Sequence, residues 1–227
     1  KARKAGLVTE PQVEEQVASA SWLRQADWNV YYGKVLAGLR GSGREGGLRT
    51  ALDAGERLLP RPWKTSYFSD VERRRVINGL GDDYASLGHV GASGAFRQLV
   101  RNGTAQQHAT IVRSMNAISA LPRPIPWRRL ERVLHDLVRI GPTMKVWGRL
   151  LCLVRPDLFC TVAAPTVRAN LSQVVGIGQG RFADVDGYIE LIRLLHASPW
   201  FNTSAPQTRR AKEIWNRRVA YMDAIFY

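Results

Sequence analysis

The chain has 227 residues, 45% hydrophobic and 23% charged, enough apolar material to bury a substantial core and a balance that excludes extended disorder. Thirty-three Lys and Arg against 19 Asp and Glu leave a net charge of +14, a field that draws polyanions and points to nucleic acid. No apolar run reaches the ~18 residues of a membrane span, because Arg149 and Arg193 interrupt the two greasiest stretches, and the cations are spread over many segments rather than along one membrane-binding helix.

Helical periodicity runs from end to end and strand signals are nearly absent, which predicts an all-α fold. Thr9 caps a first helix through Val13 and Val17 that continues or re-forms through Trp28, Val30 and Tyr31. Gly41, Gly43, Gly46 and Gly47 break it, so 41–47 reads as a linker. A short helix from Leu48 to Leu59 stops at Pro60 and Pro62, and an aromatic loop with Trp63, Tyr67 and Phe68 follows. Ser69 and Glu72 have the spacing of a capping box that opens a helix bearing Arg73, Arg74 and Arg75, three neighbours that cannot all face one core. Residues 78–94, rich in Gly, Asp and Ser, predict a loop, and helix resumes over Ala95 to Arg101 until Asn102-Gly103. Ile111, Met115 and Ile118 mark the next helix, ended by Pro122, Pro124 and Pro126.

Trp127, Leu130, Val133, Leu134 and Leu137 trace one face of a helix that leads to Ile140-Gly141-Pro142-Thr143, where a tight hairpin is implied. The following helix is expected to turn Val146, Leu150, Leu151 and Val154 inward and Lys145 and Arg149 outward. After Arg155-Pro156-Asp157, Pro165 suits the first position of another helix through Val167 and Leu171, and Gly176, Gly178 and Gly180 form a second linker, 176–180. Two last helices are predicted, Asp184 to Ala197 and roughly Thr208 to Phe226. The whole, 1–227, is expected to be one globular helical unit, a two-lobed bundle and a monomer.

Lys1 to Glu15 carries no apolar stretch of a secretory signal, and the lack of an initiator Met suggests trimming. Cys152 and Cys160 read as reduced thiols of a cytoplasmic protein. Two cysteines are too few for an iron–sulfur cluster or structural zinc, and His89, His108, His135 and His196 lack ligand spacing, so neither metal nor cofactor is expected. No phosphate-binding loop, nucleophile elbow or His-Glu-x-x-His is present, and Gly176-x-Gly178-x-Gly180 follows a helix rather than a strand.

The order helix, short Gly-containing hairpin, helix, irregular segment, helix over 127–171 resembles the helix-hairpin-helix DNA glycosylase superfamily, with 127–154 as the helix-hairpin-helix element. The resemblance implies that Gly141, Thr143, Met144 and Lys145 present backbone amides and a cation to a DNA phosphate, with Arg149 and Arg168 adding contacts. It places Lys145 where bifunctional members keep a Schiff-base lysine, although a lysine there also serves simply as a phosphate partner. It places Ala164 at the position of the family's catalytic Asp. Three explanations stand: an engineered inactive variant, natural loss in a non-catalytic reader, or another acid in that role, with Asp157 the nearest. Trp63 and Tyr67, on a loop, are candidates to stack on an extruded base.

The implied function is binding of double-stranded DNA and extrusion of a damaged or modified base. Cleavage of its N-glycosidic bond would leave an abasic site, in repair or anti-phage defence. The alternative is a non-catalytic helical module that reads DNA structure or modification, and a third option is RNA or ribosome binding.

Overall fold

The computed structural model describes residues 22–43, 45–80, 84–87 and 94–227. The helix expected from Thr9 lies outside the described residues up to position 21, and so do parts of the 78–94 loop. Every regular element among the described residues is helical, as the periodicity predicts, and none of these helices is long and apolar enough to cross a membrane.

Helix α1 (Trp28–Ser42) starts at Asp27, whose carboxylate accepts from the Val30 N–H, and ends where Gly43 takes the left-handed conformation. Helix α2 is Glu45–Leu58. The glycines of 41–47 are therefore divided among the last turn of α1, its cap and the first turn of α2, and no separate linker is formed among the described residues. A 3-10 turn, Thr65–Phe68, precedes α3 (Val71–Asn78). The N-cap of α3 is Asp70, which accepts from the Arg73 N–H, and not Ser69. Asp70 lies one residue closer to the helix, and Glu72 is drawn instead to the Tyr84 hydroxyl at 2.6 Å.

Helices α4 (Gly94–Asn102) and α5 (Ala105–Ser119) follow, the second opened by a capping box of Thr104 and Gln107. Next come α6 (Trp127–Arg139) and α7 (Met144–Val154), then α8 (Pro165–Val175), with Pro165 at its first position as expected. A 3-10 turn (Arg181–Ala183) leads to α9 (Val185–Ala197), and another (Pro199–Phe201) leads on to α10 (Arg209–Asn216) and α11 (Met222–Phe226). The single C-terminal helix expected over 208–226 is thus broken at Arg217. Its guanidinium is held by Glu56 at 2.7 Å and Asp53 at 2.6 Å, and the Ala220 N–H reaches the Pro156 carbonyl at 2.9 Å. Tertiary bonds outcompete continuation of the helix there.

Helix α7 is the axis of the molecule: it packs against α2, α5 and α6 and buries eight of its eleven residues. A helix apolar on nearly all sides belongs in the interior. Trp147 is fully buried and meets Phe96 of α4 edge-on at 5.3 Å. At Gly148 a Cβ would stand 3.2 Å from Tyr188 of α9 and 3.4 Å from Val162, so the glycine admits both neighbours closely. The buried apolar residues form one contiguous cluster.

Candidate nucleic-acid interface

Helix α6 buries Leu130, Leu134 and Leu137 and turns Arg128, Arg129, Arg132 and Arg139 outward. It stops at Ile140, because Gly141 takes φ +157°, a conformation that L side chains rarely adopt. Pro142 is buried, and Thr143 caps α7 in an extended conformation without a side-chain hydrogen bond. The Val146 and Trp147 amides bond to the Thr143 carbonyl. Those of Met144 and Lys145, one step earlier, have no carbonyl partner among the described residues, as the first turn of a helix requires. They are the orphan donors that suit an anion.

The hairpin rests on α4: a Cβ at Gly141 would be 3.7 Å from the Leu99 side chain. Helix α4 buries Phe96, Leu99 and Val100 and exposes Arg97 and Arg101, four residues apart on its outer face. Between this face and α3 runs a groove of about 370 Å³ lined by Arg74, Arg75, Arg97 and Arg101, with Val71, 65% exposed, at its rim. Arg75 pairs with Glu72 at 3.3 Å, whereas Arg74, Arg97 and Arg101 form no ion pair among the described residues. The groove is therefore strongly cationic. Arg73, the third of the adjacent arginines, turns away, donating to the Leu58 carbonyl at 2.8 Å and covering Tyr67 at 4.5 Å.

The residues singled out from sequence are distributed unevenly around this surface. Gly141 and Thr143 are exposed at the hairpin and Lys145 is half-buried one residue into α7, while the Met144 side chain is fully buried and contributes only its backbone. Arg149, expected at a phosphate, is fully buried. It donates to the carbonyls of Val76 (2.8 Å), Ile77 (2.8 Å) and Tyr84 (3.0 Å), and burial lowers its pKa to about 10. The outward face assumed for it does not exist, because α7 is surrounded. Trp63 and Tyr67 are 2% and 3% exposed. The Trp63 backbone is paired with the Asn116 side chain, and the Tyr67 hydroxyl donates to the Pro60 carbonyl at 2.8 Å, so both rings are core rather than stacking plates.

Ala164 caps α8 without a side-chain acceptor. Arg168, half-buried, donates to the Val162 (2.8 Å) and Ala163 (2.6 Å) carbonyls, closing the bend before α8. Because Gly148 packs on Val162, this bend lies along α7 beside the turn that carries Lys145. Asp157 stands in an arginine clamp, accepting from Arg155 at 2.8 and 2.9 Å and from Arg123 at 2.8 Å. Burial raises its pKa, but the two guanidinium groups outweigh that and hold it below the ordinary carboxylate value. It is an ionised structural anchor with both oxygens occupied.

One cluster has cation-ligand chemistry: Glu131 and His135, a turn apart on α6, and Asp186 at the start of α9, with ligand atoms within 4.8 Å of one another. From sequence, His135 has no ligand spacing and neither Glu131 nor Asp186 is marked as a ligand, and Asp186 arrives from a different helix. The cysteines are free and buried.

The sequence reading missed Arg97 and Arg101, although an Arg-x-x-x-Arg step opposite Phe96, Leu99 and Val100 was visible. It also missed a cleft lined by Arg123, Trp127, His196, Phe201, Trp215 and Arg218, which four separate segments assemble. No family model, curated protein or solved structure matches the chain.

Proposed function

We propose that this chain binds the sugar-phosphate backbone of duplex DNA with the α6–α7 hairpin and the arginine groove between α3 and α4, acting as a helical DNA-binding module. The observation that carries the proposal is the groove between α3 and α4 lined by Arg74, Arg75, Arg97 and Arg101, three of them without an ion-pair partner among the described residues, with the hairpin's orphan amides of Met144 and Lys145 near the opposite, Leu99 face of α4. Amides at a helix start fix register on a phosphate, and arginines add fork-shaped donors to the flanking phosphates. The α6–α7 pair is read as a helix-hairpin-helix element. Its two lobes would meet at α7, with α2 and α3 on one side, α3 tied in by Arg149, and α6 and α9 on the other.

A second reading, base excision by a DNA glycosylase, is favoured by one specific placement: the bend before Ala164 lies along α7 beside the turn of Lys145. Glycosidic cleavage needs a group that stabilises the developing positive charge on the sugar, and neither Ala164 nor the clamped Asp157 supplies a free carboxylate. The module reading therefore comes first.

Duplex binding measured by fluorescence anisotropy tests the interface. Replacing Arg74, Arg75, Arg97 and Arg101 together with Gln is expected to abolish most of it, and undiminished binding would remove the proposal. Assaying the protein and its Ala164→Asp variant for abasic sites on DNA with modified bases separates the two readings. Abasic sites from the unaltered protein would establish excision and displace the pure module.

A further inference from the structure

We propose that the cleft between the N-terminus of α6, the Pro199–Phe201 turn and the end of α10 is a nucleotide-binding site, in which Trp127 and Trp215 hold the base and Arg123 and Arg218 hold the phosphate. The cleft has a volume of about 380 Å³, within the roughly 300–1,000 Å³ range of small-molecule sites. Its wall is a continuous pile of flat groups. Trp215 lies 4.4 Å from the Arg218 guanidinium, which is 4.5 Å from the Phe201 ring. Phe201 stacks on His196 at 3.9 Å, and His196 meets Trp127 at 5.7 Å.

Aromatic walls by themselves commonly attract cations. Here the charge inverts that preference. Arg123 and Arg218 both line the cleft, and the nearest carboxylate, Asp157, is already shared between Arg123 and Arg155. Arg218 is 1% exposed and donates through one terminal nitrogen to the Trp215 carbonyl at 2.7 Å, while its Nε has no partner among the described residues. Burial, then repulsion from Arg123, lowers its pKa to about 10, so the guanidinium stays charged at neutral pH and lacks a counter-ion that completes it. An anion that also offers a flat π face satisfies both features, and a nucleotide is such a molecule.

His196 adds a directional element. Its Nε2 is 2.9 Å from the Leu158 carbonyl, which only accepts, so Nε2 carries the hydrogen. Burial pushes its pKa down to about 4, so the ring is neutral and Nδ1 is an acceptor. An exocyclic amino group on a base is the complementary donor.

The cleft opens at Trp127 and the hairpin begins at Ile140, so the length of α6, about 20 Å at 1.5 Å per residue, separates this site from the proposed duplex interface. The inference does not depend on that interface. The ligand is either a free mononucleotide or the unpaired terminal nucleotide of a strand.

Isothermal titration calorimetry on the full chain tests it with AMP, adenosine, inorganic phosphate and a short single strand with and without a 5′-phosphate. Saturable binding of AMP is expected, with adenosine and phosphate each at least tenfold weaker. Arg123→Gln, at an exposed position where Arg155 still holds Asp157, is expected to weaken AMP at least tenfold with an unchanged melting temperature. Arg218→Gln is a second variant, read only if it melts as the parent does. Equal affinity for AMP and the phosphorylated strand identifies a free nucleotide as ligand, and much tighter binding of the strand identifies a strand end. No saturable AMP binding, phosphate binding as well as AMP, or an unaltered AMP affinity in Arg123→Gln would each overturn the proposal. The Gln variant of the four groove arginines is expected to bind AMP normally, so this site and the duplex interface fail separately.

Discussion

Replacing Arg149 with Met keeps the apolar stem of the side chain but removes the guanidinium and its three hydrogen bonds. The guanidinium is fully buried and ties α7 to the carbonyls of Val76 and Ile77 at the end of α3 and of Tyr84 beyond it. Gly79, in the left-handed conformation at φ +64°, leaves room for it: a Cβ there would come within 2.9 Å of the guanidinium. Leaving a buried carbonyl without its donor costs about 1–3 kcal/mol, so the set of three is worth about 3–5 kcal/mol, and in a chain of this size each kcal/mol lowers the melting temperature by about 2–4 °C. Arg149→Met is therefore expected to melt roughly 6–20 °C below the parent. Arg149→Lys is expected to recover little, since one ammonium cannot span three carbonyls in a fixed fork. Differential scanning calorimetry gives the shift, and DNA anisotropy well below the lowered midpoint gives the salt slope, which is expected to be unchanged. A melting temperature within a degree or two of the parent, together with a shallower salt slope, would show that Arg149 meets phosphate and that its burial is wrongly assigned.

Two further perturbations follow from close geometry. At Gly38 of α1 a Cβ would fall 2.0 Å from the Ala224 carbonyl oxygen of the backbone. Gly38→Ala is thus expected to push α11 off α1 and cost about 1–3 kcal/mol, seen in urea denaturation, and an unchanged midpoint would refute that packing. His196 has a folded pKa of about 4 against about 6.5 when unfolded, so between those values the unfolded chain binds more protons and stability falls as pH falls. The loss, up to about 3 kcal/mol, is complete only near pH 4. Urea midpoints of the parent and His196→Gln from pH 7.5 to 4.5 should show a smaller decline in the variant, and parallel declines would mean that His196 is not buried in its neutral form.

What the sequence disclosed was local. The apolar stripe of Leu130, Leu134 and Leu137 marked α6, Gly141 marked the hairpin and Pro165 marked the start of α8, because each signal acts within one or two helical turns. The break at Arg217 was invisible, since the groups that turn its guanidinium inward, Glu56 and Asp53, lie more than 150 residues away. Arg149 misled for a related reason: a lone cation on an apolar helix reads as an outer face, unless one knows that three backbone carbonyls await it inside. The arginine groove needed the packing of α3 against α4, and the nucleotide cleft needed segments from Arg123 to Arg218 brought together. Both arise from tertiary structure rather than from motifs.

The most direct test of the account is the dependence of the duplex-DNA association constant on salt. With four groove arginines on phosphates, the parent is expected to show a log–log slope steeper by up to about 3.6 than the variant in which Arg74, Arg75, Arg97 and Arg101 are all Gln, each neutralised phosphate contributing about 0.9. Equal slopes for parent and variant would place the DNA elsewhere and contradict the assignment of this face.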